Sequence, residues 1–114
     1  MTEPPPFELH PSRTGDLFVL EVRGEIDMAT APEVERTLEV VADPIRRVVV
    51  DLTAVTFLDS SALNVLVKSQ RDLAHREIEF RVVSPDDQAI RRVFEITHLT
   101  EALGVVATRA EAEA

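Results

Sequence analysis

The stretch Val48–Leu66, VVVDLTAVTFLDSSALNVL, limits the possible folds more than any other part of the chain. Val48, Val49 and Val50 are β-branched, and the apolar character continues to Leu52 apart from Asp51. Arg47–Leu52 therefore reads as an interior strand covered on both faces, because a half-exposed strand would alternate. Thr53–Leu58 reads as a short connector. Beyond it, Leu63, Leu66, Val67 and Leu73 recur at helical spacing, leaving Lys68, Arg71, Asp72 and Arg76 for the wet side. Asp59-Ser60-Ser61 falls where that helix begins. A buried strand feeding directly into an amphipathic helix needs a parallel neighbour and helices packed on the sheet.

The rest of the chain repeats this alternation. Phe7–His10 reads as a short edge strand stopped by Pro11, and Ser12–Asp16, with Gly15, as a hairpin turn. In Leu17–Ile26, Phe18, Leu20 and Val22 share one face of a second strand, and Gly24 marks a bulge or a close backbone approach. Thr30 and Glu33 have capping-box spacing with Pro32 in the first turn, and Val34, Leu38 and Val41 give the stripe of a helix that ends by Pro44. Glu77–Val83 reads as a strand with Ile78, Phe80 and Val82 on one side. Ser84-Pro85-Asp86-Asp87 opens a helix whose buried positions are Ile90, Val93 and Phe94 and which ends near Thr97-His98. Leu103–Ala107 is a last short strand, and Thr108 and Glu111 open a small final helix. The predicted order is β-β-α-β-α-β-α-β-α, an α/β fold with a mixed sheet of about five strands and about four helices.

At 114 residues there is room for one domain. Residues 1–6, with prolines at 4, 5 and 6, read as a flexible tail, and residues 7–114 as the domain. The formal charge is −9, with 21 acidic residues against 12 Lys and Arg. Only Arg46-Arg47 and Arg91-Arg92 are adjacent cations, and the aromatics are five Phe, which argues against direct nucleic-acid binding. An acidic surface suits a partner with a basic face. Cysteine is absent, excluding disulfides, a thiol nucleophile and a thiolate metal site. No apolar run approaches the ~18 residues of a membrane span, and the first residues lack the features of a secretory signal, so a cytoplasmic protein without membrane insertion is expected.

Gly15, Gly24 and Gly104 are isolated, so no phosphate-cradling loop is present, and no cofactor is expected. His10, His75 and His98 are too scattered for metal-ligand spacing. Asp86-Asp87 reads as helix-start electrostatics rather than an acid/base pair. Ser60 lacks a G-x-S-x-G elbow, and a hydrolase built on it would need an activating base. What remains is Asp59-Ser60-Ser61. In the plainest reading, Asp59 or Ser60 caps the helix, worth about 1 kcal/mol. In the functional reading a hydroxyl here accepts a phosphoryl group, which helix N–H donors and the positive dipole end tolerate. The new charge beside Asp59 then faces any docked partner with repulsion and desolvation.

Three stretches resemble the STAS-domain anti-sigma factor antagonists: Gly24-Glu25-Ile26-Asp27, Asp51–Leu66, and Arg92–Thr97 with Leu99 beyond. The resemblance implies a STAS-like domain that binds an anti-sigma factor serine kinase, so releasing the sigma factor. It implies phosphorylation by that kinase at Ser60, the first Ser of the Asp-Ser-Ser motif, loss of binding on modification, and resetting by a PP2C-type phosphatase. Asp27, by the same resemblance, lies near the acceptor, and Asp27, Asp59, Ser60, Ser61 and Ala62 form the partner-binding set. The protein is then a kinase substrate and binding regulator with no catalytic residue of its own. The alternative is a STAS interaction module of a stress-sensing or lipid-transport complex. Ala62 and His98 replace glycines usual in the family. Ala62 favours the helix by about 1 kcal/mol but adds a methyl close to Ser60, while His98 is expected at a helix end that favours positive φ.

Overall fold

The valine run lies in the third and central strand of a five-stranded mixed sheet with strand order β1-β2-β3-β4-β5. The structure is a computed structural model and describes residues 5–114. Its elements are β1 (Glu8–Thr14), β2 (Leu17–Ile26), α1 (Ala31–Glu39), β3 (Arg47–Leu58), α2 (Ser60–His75), β4 (Glu79–Val83), α3 (Gln88–Ile96), β5 (Val105–Val106) and α4 (Arg109–Glu113). β1 runs antiparallel to β2, and β2, β3, β4 and β5 are mutually parallel. The expected element order and fold class are those observed.

The sheet buries its two faces unequally. Leu20, Val22, Val48, Val50, Leu52, Phe80 and Val82 face the main core with Val34 and Leu38 of α1, Leu66 and Leu73 of α2, and Ile90 and Phe94 of α3. The opposite face carries only a small cluster of Val19, Val49 and Val83 under Ala112 of α4. This is why Val48, Val49 and Val50 are all inaccessible: alternate residues point into different clusters.

Several boundaries differ from expectation for local reasons. Pro11 does not stop β1, which continues to Thr14 with Pro11 opposite Leu20. An edge strand tolerates proline where its N–H side has no partner. The turn accordingly shrinks to Gly15-Asp16, with Gly15 at φ +61°. Thr53–Leu58 is not a connector but the second half of β3. It pairs only with β2, whereas β4 accompanies β3 only from Arg47 to Asp51. The capping box at Thr30 and Glu33 is replaced by a turn centred on Asp27, and α1 ends before Val41, which is nevertheless buried. α3 is capped by Asp87, whose carboxylate accepts the N–H groups of Ala89 and Ile90, so Ser84 and Pro85 belong to a buried loop before it. β4 starts at Glu79 because Glu77 is left-handed (φ +59°), and β5 has only Val105 and Val106, with Leu103 buried before it. Thr108 caps α4 as expected, accepting from the Glu111 N–H.

The tail expected over residues 1–6 lies largely outside the described residues. Pro5 and Pro6 are described, and their backbone runs against β2: a Cβ placed on Gly24 would lie 2.9 Å from the Pro6 carbonyl oxygen. Gly24 is thus a site of close backbone approach, and the register shift beside it comes from an extra residue in β3 rather than from Gly24 itself.

Candidate functional site

Because β2 and β3 are parallel and each feeds a helix, α1 and α2 both begin at the same edge of the sheet. Ile26 and Leu58 are register partners, and the Asp59 N–H donates to the Ile26 carbonyl at 3.2 Å. Asp27-Met28 and Asp59-Ser60 therefore emerge side by side at the carboxyl ends of neighbouring strands, where open α/β sheets place their binding residues.

Two bulges in β3 set which side chains point outward here. Between Glu21↔Asp51 and Arg23↔Ala54, and again between Gly24↔Val55 and Glu25↔Phe57, β3 advances one residue more than β2. The core-facing positions consequently run Val48, Val50, Leu52, then Val55 and Leu58. Without the second bulge, at Thr56, Phe57 would share the face of Val55 and be buried. Instead it is 47% exposed.

The Asp59 carboxylate is the α2 cap. Its Oδ1 accepts the Ser61 N–H at 2.8 Å and the Ala62 N–H at 3.3 Å. Ser60 occupies the first helical position with its side chain exposed, and Ser61 is half-buried. Ala62 is 1% exposed and packs into the core, so its methyl presents nothing to a docking partner. The expected partner-facing role of Ala62 is therefore corrected to a backbone and packing role, because the third position of this helix faces inward.

Asp27 organises the neighbouring turn. Its Oδ1 accepts the N–H groups of Ala29 (2.9 Å) and Thr30 (3.1 Å), and its own N–H donates to Thr30 Oγ1 at 2.9 Å. The Thr30 hydroxyl in turn donates to the Glu25 carbonyl at 3.0 Å. Asp27 is thus locked in the turn that faces the Asp59–Ser60 corner.

The surface is acidic and partly apolar. Among the described residues, Glu25, Asp27, Glu33 and Asp59 belong to no ion pair, in contrast to Glu35 and Glu39, which Lys68 reaches at 2.6 and 3.8 Å. Met28 is 79% exposed. Met28 and Phe57 escaped the sequence reading: the bulge that turns Phe57 outward leaves no mark in composition, and a methionine in a turn has no signature of its own. No hydrogen bond to the Ser60 hydroxyl occurs among the described residues. His75, at the far end of α2, lies about 22 Å away along the axis at 1.5 Å per residue, so it is no base for Ser60. A recess of about 260 Å³ between α3, β5 and α4, lined by Arg91, Phe94 and Glu111 among others, does not include the Ser60 corner. Among the described residues, no three His, Asp or Glu side chains gather in a metal-binding group, and no helix is long and apolar enough to cross a membrane.

Comparison with known proteins gives a consistent result. The family model described as "STAS domain" matches residues 10–112. An anti-sigma-B factor antagonist from Listeria monocytogenes is 36% identical over 94 residues, covering 82% of each chain. The crystal structure of an anti-sigma factor antagonist from Mycobacterium paratuberculosis superposes with a TM-score of 0.86 at 33% identity, over 99% of this chain and 96% of that one. The Bacillus cell fate determinant SpoIIAA in its phosphorylated form shares the fold, with a TM-score of 0.72 at 20% identity over 95% of this chain and 96% of that one.

Proposed function

The chain belongs to the STAS-domain family, and from that premise we propose that it is an anti-sigma factor antagonist whose partner is an anti-sigma factor serine kinase. Binding at the Asp27–Ser60 edge would free the sigma factor. Phosphorylation of Ser60 would end the complex, and a PP2C-type phosphatase would restore it. The relatives support the antagonist role, being named for it in Listeria and Mycobacterium.

The observation that carries the choice of acceptor is the division of labour between Asp59 and Ser60. Asp59 takes over the capping of α2, with its carboxylate on the Ser61 and Ala62 N–H groups, and leaves the Ser60 hydroxyl exposed and without a structural task. A kinase can reach it without unfolding anything. The capping donors are already in use, so a phosphate on Ser60 projects outward rather than settling into the helix terminus. The fold tolerates it because Ser60 is exposed, not because the helix cradles it. Ser61 and Thr56 are the nearby competing hydroxyls, and Ser61 is half-buried.

Incubation with ATP and the anti-sigma factor kinases of the source organism, followed by mass spectrometry, tests the assignment. One phosphate on Ser60 is expected; modification of Ser61 or Thr56 with Ser60 untouched would refute it. Ser60→Ala should keep kinase binding and Ser60→Glu should weaken it.

A further inference from the structure

Among the described residues the exposed large apolar side chains are Met28, Val40, Phe57 and Ile96. Scattered singly, such residues mean little. Met28 and Phe57, however, share the edge that carries Ser60. Met28 stands two residues past Ile26 and Ser60 two past Leu58, the register pair that closes β2 and β3, while Phe57 sits opposite Glu25. Around them lie Glu25, Asp27 and Asp59, with Glu33 in the first turn of α1, all without cationic partners. The edge is an apolar pair in an acidic rim.

A partner complementary to that rim carries Lys and Arg around its own contact surface. This creates a difficulty for the simplest account of a phosphorylation switch. Toward a basic surface, two further negative charges attract at long range. Phosphorylation can end such a complex only through a local effect at the place where Ser60 lands.

We infer that the partner presents an apolar hollow ringed by Lys and Arg, that Met28 and Phe57 fill the hollow, and that Ser60 phosphorylation breaks the complex by stranding a dianion in this dry centre, not by net-charge repulsion. The inference rests on the antagonist reading above. Its physical basis is that a buried charge without a partner costs far more than a solvated one gains from distant cations. Rim charges act mainly on the association rate, and desolvated central contacts on the dissociation rate.

The test uses the anti-sigma factor bound by the unmodified chain, with both forms of the antagonist measured at about 50 and 500 mM NaCl, where the screening length falls from about 14 to about 4 Å. The unmodified chain should lose about tenfold or more in affinity at high salt, mostly in association rate. The phosphorylated chain should recover none. Met28→Ser and Phe57→Ser should each raise the dissociation rate about tenfold with unchanged circular dichroism and melting temperature, and Glu25→Gln should slow association without changing dissociation. Recovery of the phosphorylated form at high salt would overturn the inference, as would wild-type dissociation rates in both apolar variants. In either case tight binding by the unmodified chain would leave the antagonist reading standing. Failure of the unmodified chain to bind any anti-sigma factor would instead remove that reading and the inference with it.

Discussion

Removing Arg109 should destabilise the domain through Asp51, a residue on the strand that leads to Ser60. The Asp51 side chain is only 5% exposed, in the middle of the sheet face that α4 covers. Its Oδ1 accepts the Thr53 N–H at 2.9 Å, and its Oδ2 accepts from Arg109 Nη1 at 3.1 Å. Glu113, by hydrogen bonding, and then Asp51 hold the Arg109 guanidinium above its ordinary pKa, so it remains a cation throughout the usable pH range. Arg109→Met leaves a buried carboxylate facing nothing positive. Breaking a fully buried pair costs about 3–5 kcal/mol, but the Arg109 side chain is 42% exposed and water can take part of its place, which reduces the expected loss to about 1–3 kcal/mol. Asp51→Asn keeps an acceptor for Thr53 and removes the charge, so it should cost less. The double variant should then be nearly as stable as Asp51→Asn alone, giving a coupling of about 1 kcal/mol or more. Urea unfolding followed by circular dichroism measures all four chains, and each kcal/mol should move the melting temperature by roughly 4 °C. Equal stability of Arg109→Met and wild type, or strict additivity in the cycle, would show that Asp51 does not depend on Arg109.

His98→Gly should raise stability by about 0.5–1 kcal/mol, since His98 ends α3 at φ +59° where a side chain is strained; its urea midpoint checks this. Gly24→Ala should lower stability by about 1–3 kcal/mol, because a Cβ at φ +90° would press on the carbonyl oxygens of Pro5 and Pro6; an unchanged midpoint would mean that this segment leaves the strand readily. Ala62→Gly should cost about 1 kcal/mol of helix stability and leave the phosphorylation rate of Ser60 unchanged, because the methyl lies in the core; a kinetic assay with the cognate kinase separates the two effects.

The parts of the fold that were legible in the sequence are those set by local chemistry. Val48–Val50 marked an interior strand, and the helix after Asp59 showed its stripe and its start. Caps were ambiguous because Asp, Ser and Thr compete for the same donors, and only the chain's actual path decides. At α2 it is Asp59 that turns back onto Ser61 and Ala62. At α1 the outcome differs: Thr30 gives its hydroxyl to the turn of Asp27 and none to the helix. His98 was legible for a different reason: the family resemblance puts a glycine at that position, which implies a left-handed residue at the end of the helix, and His98 has φ +59°.

The second half of β3 was illegible, and the cause bears on function. Each bulge changes the spacing of core residues from two to three, so that Leu52, Val55 and Leu58 no longer alternate and the segment stops looking like a strand. Nothing in Thr53–Leu58 is a turn former, however, and Thr, Val and Phe all favour extended backbone. The absence of Gly, Pro, Asn and Asp there was the available signal. The same irregularity that hides the strand also exposes Phe57: a regular strand would bury it with Val55 and send Leu58 outward. A bulge weakens the ladder locally and is retained where a side chain must be re-aimed. Here the side chain re-aimed is an aromatic ring three residues before Ser60, on a corner otherwise furnished with carboxylates. Deleting Thr56 should therefore remove the bulge and leave the corner in place: Gly24 still meets Val55, Glu25 meets Phe57 and Ile26 meets Leu58, so Phe57 stays outward, Leu58 stays in the core and Asp59 keeps the Ser61 and Ala62 N–H groups. The shortened chain should keep its circular dichroism and its stability in urea to within about 1 kcal/mol, and a larger loss would show that the bulged residue itself holds the corner.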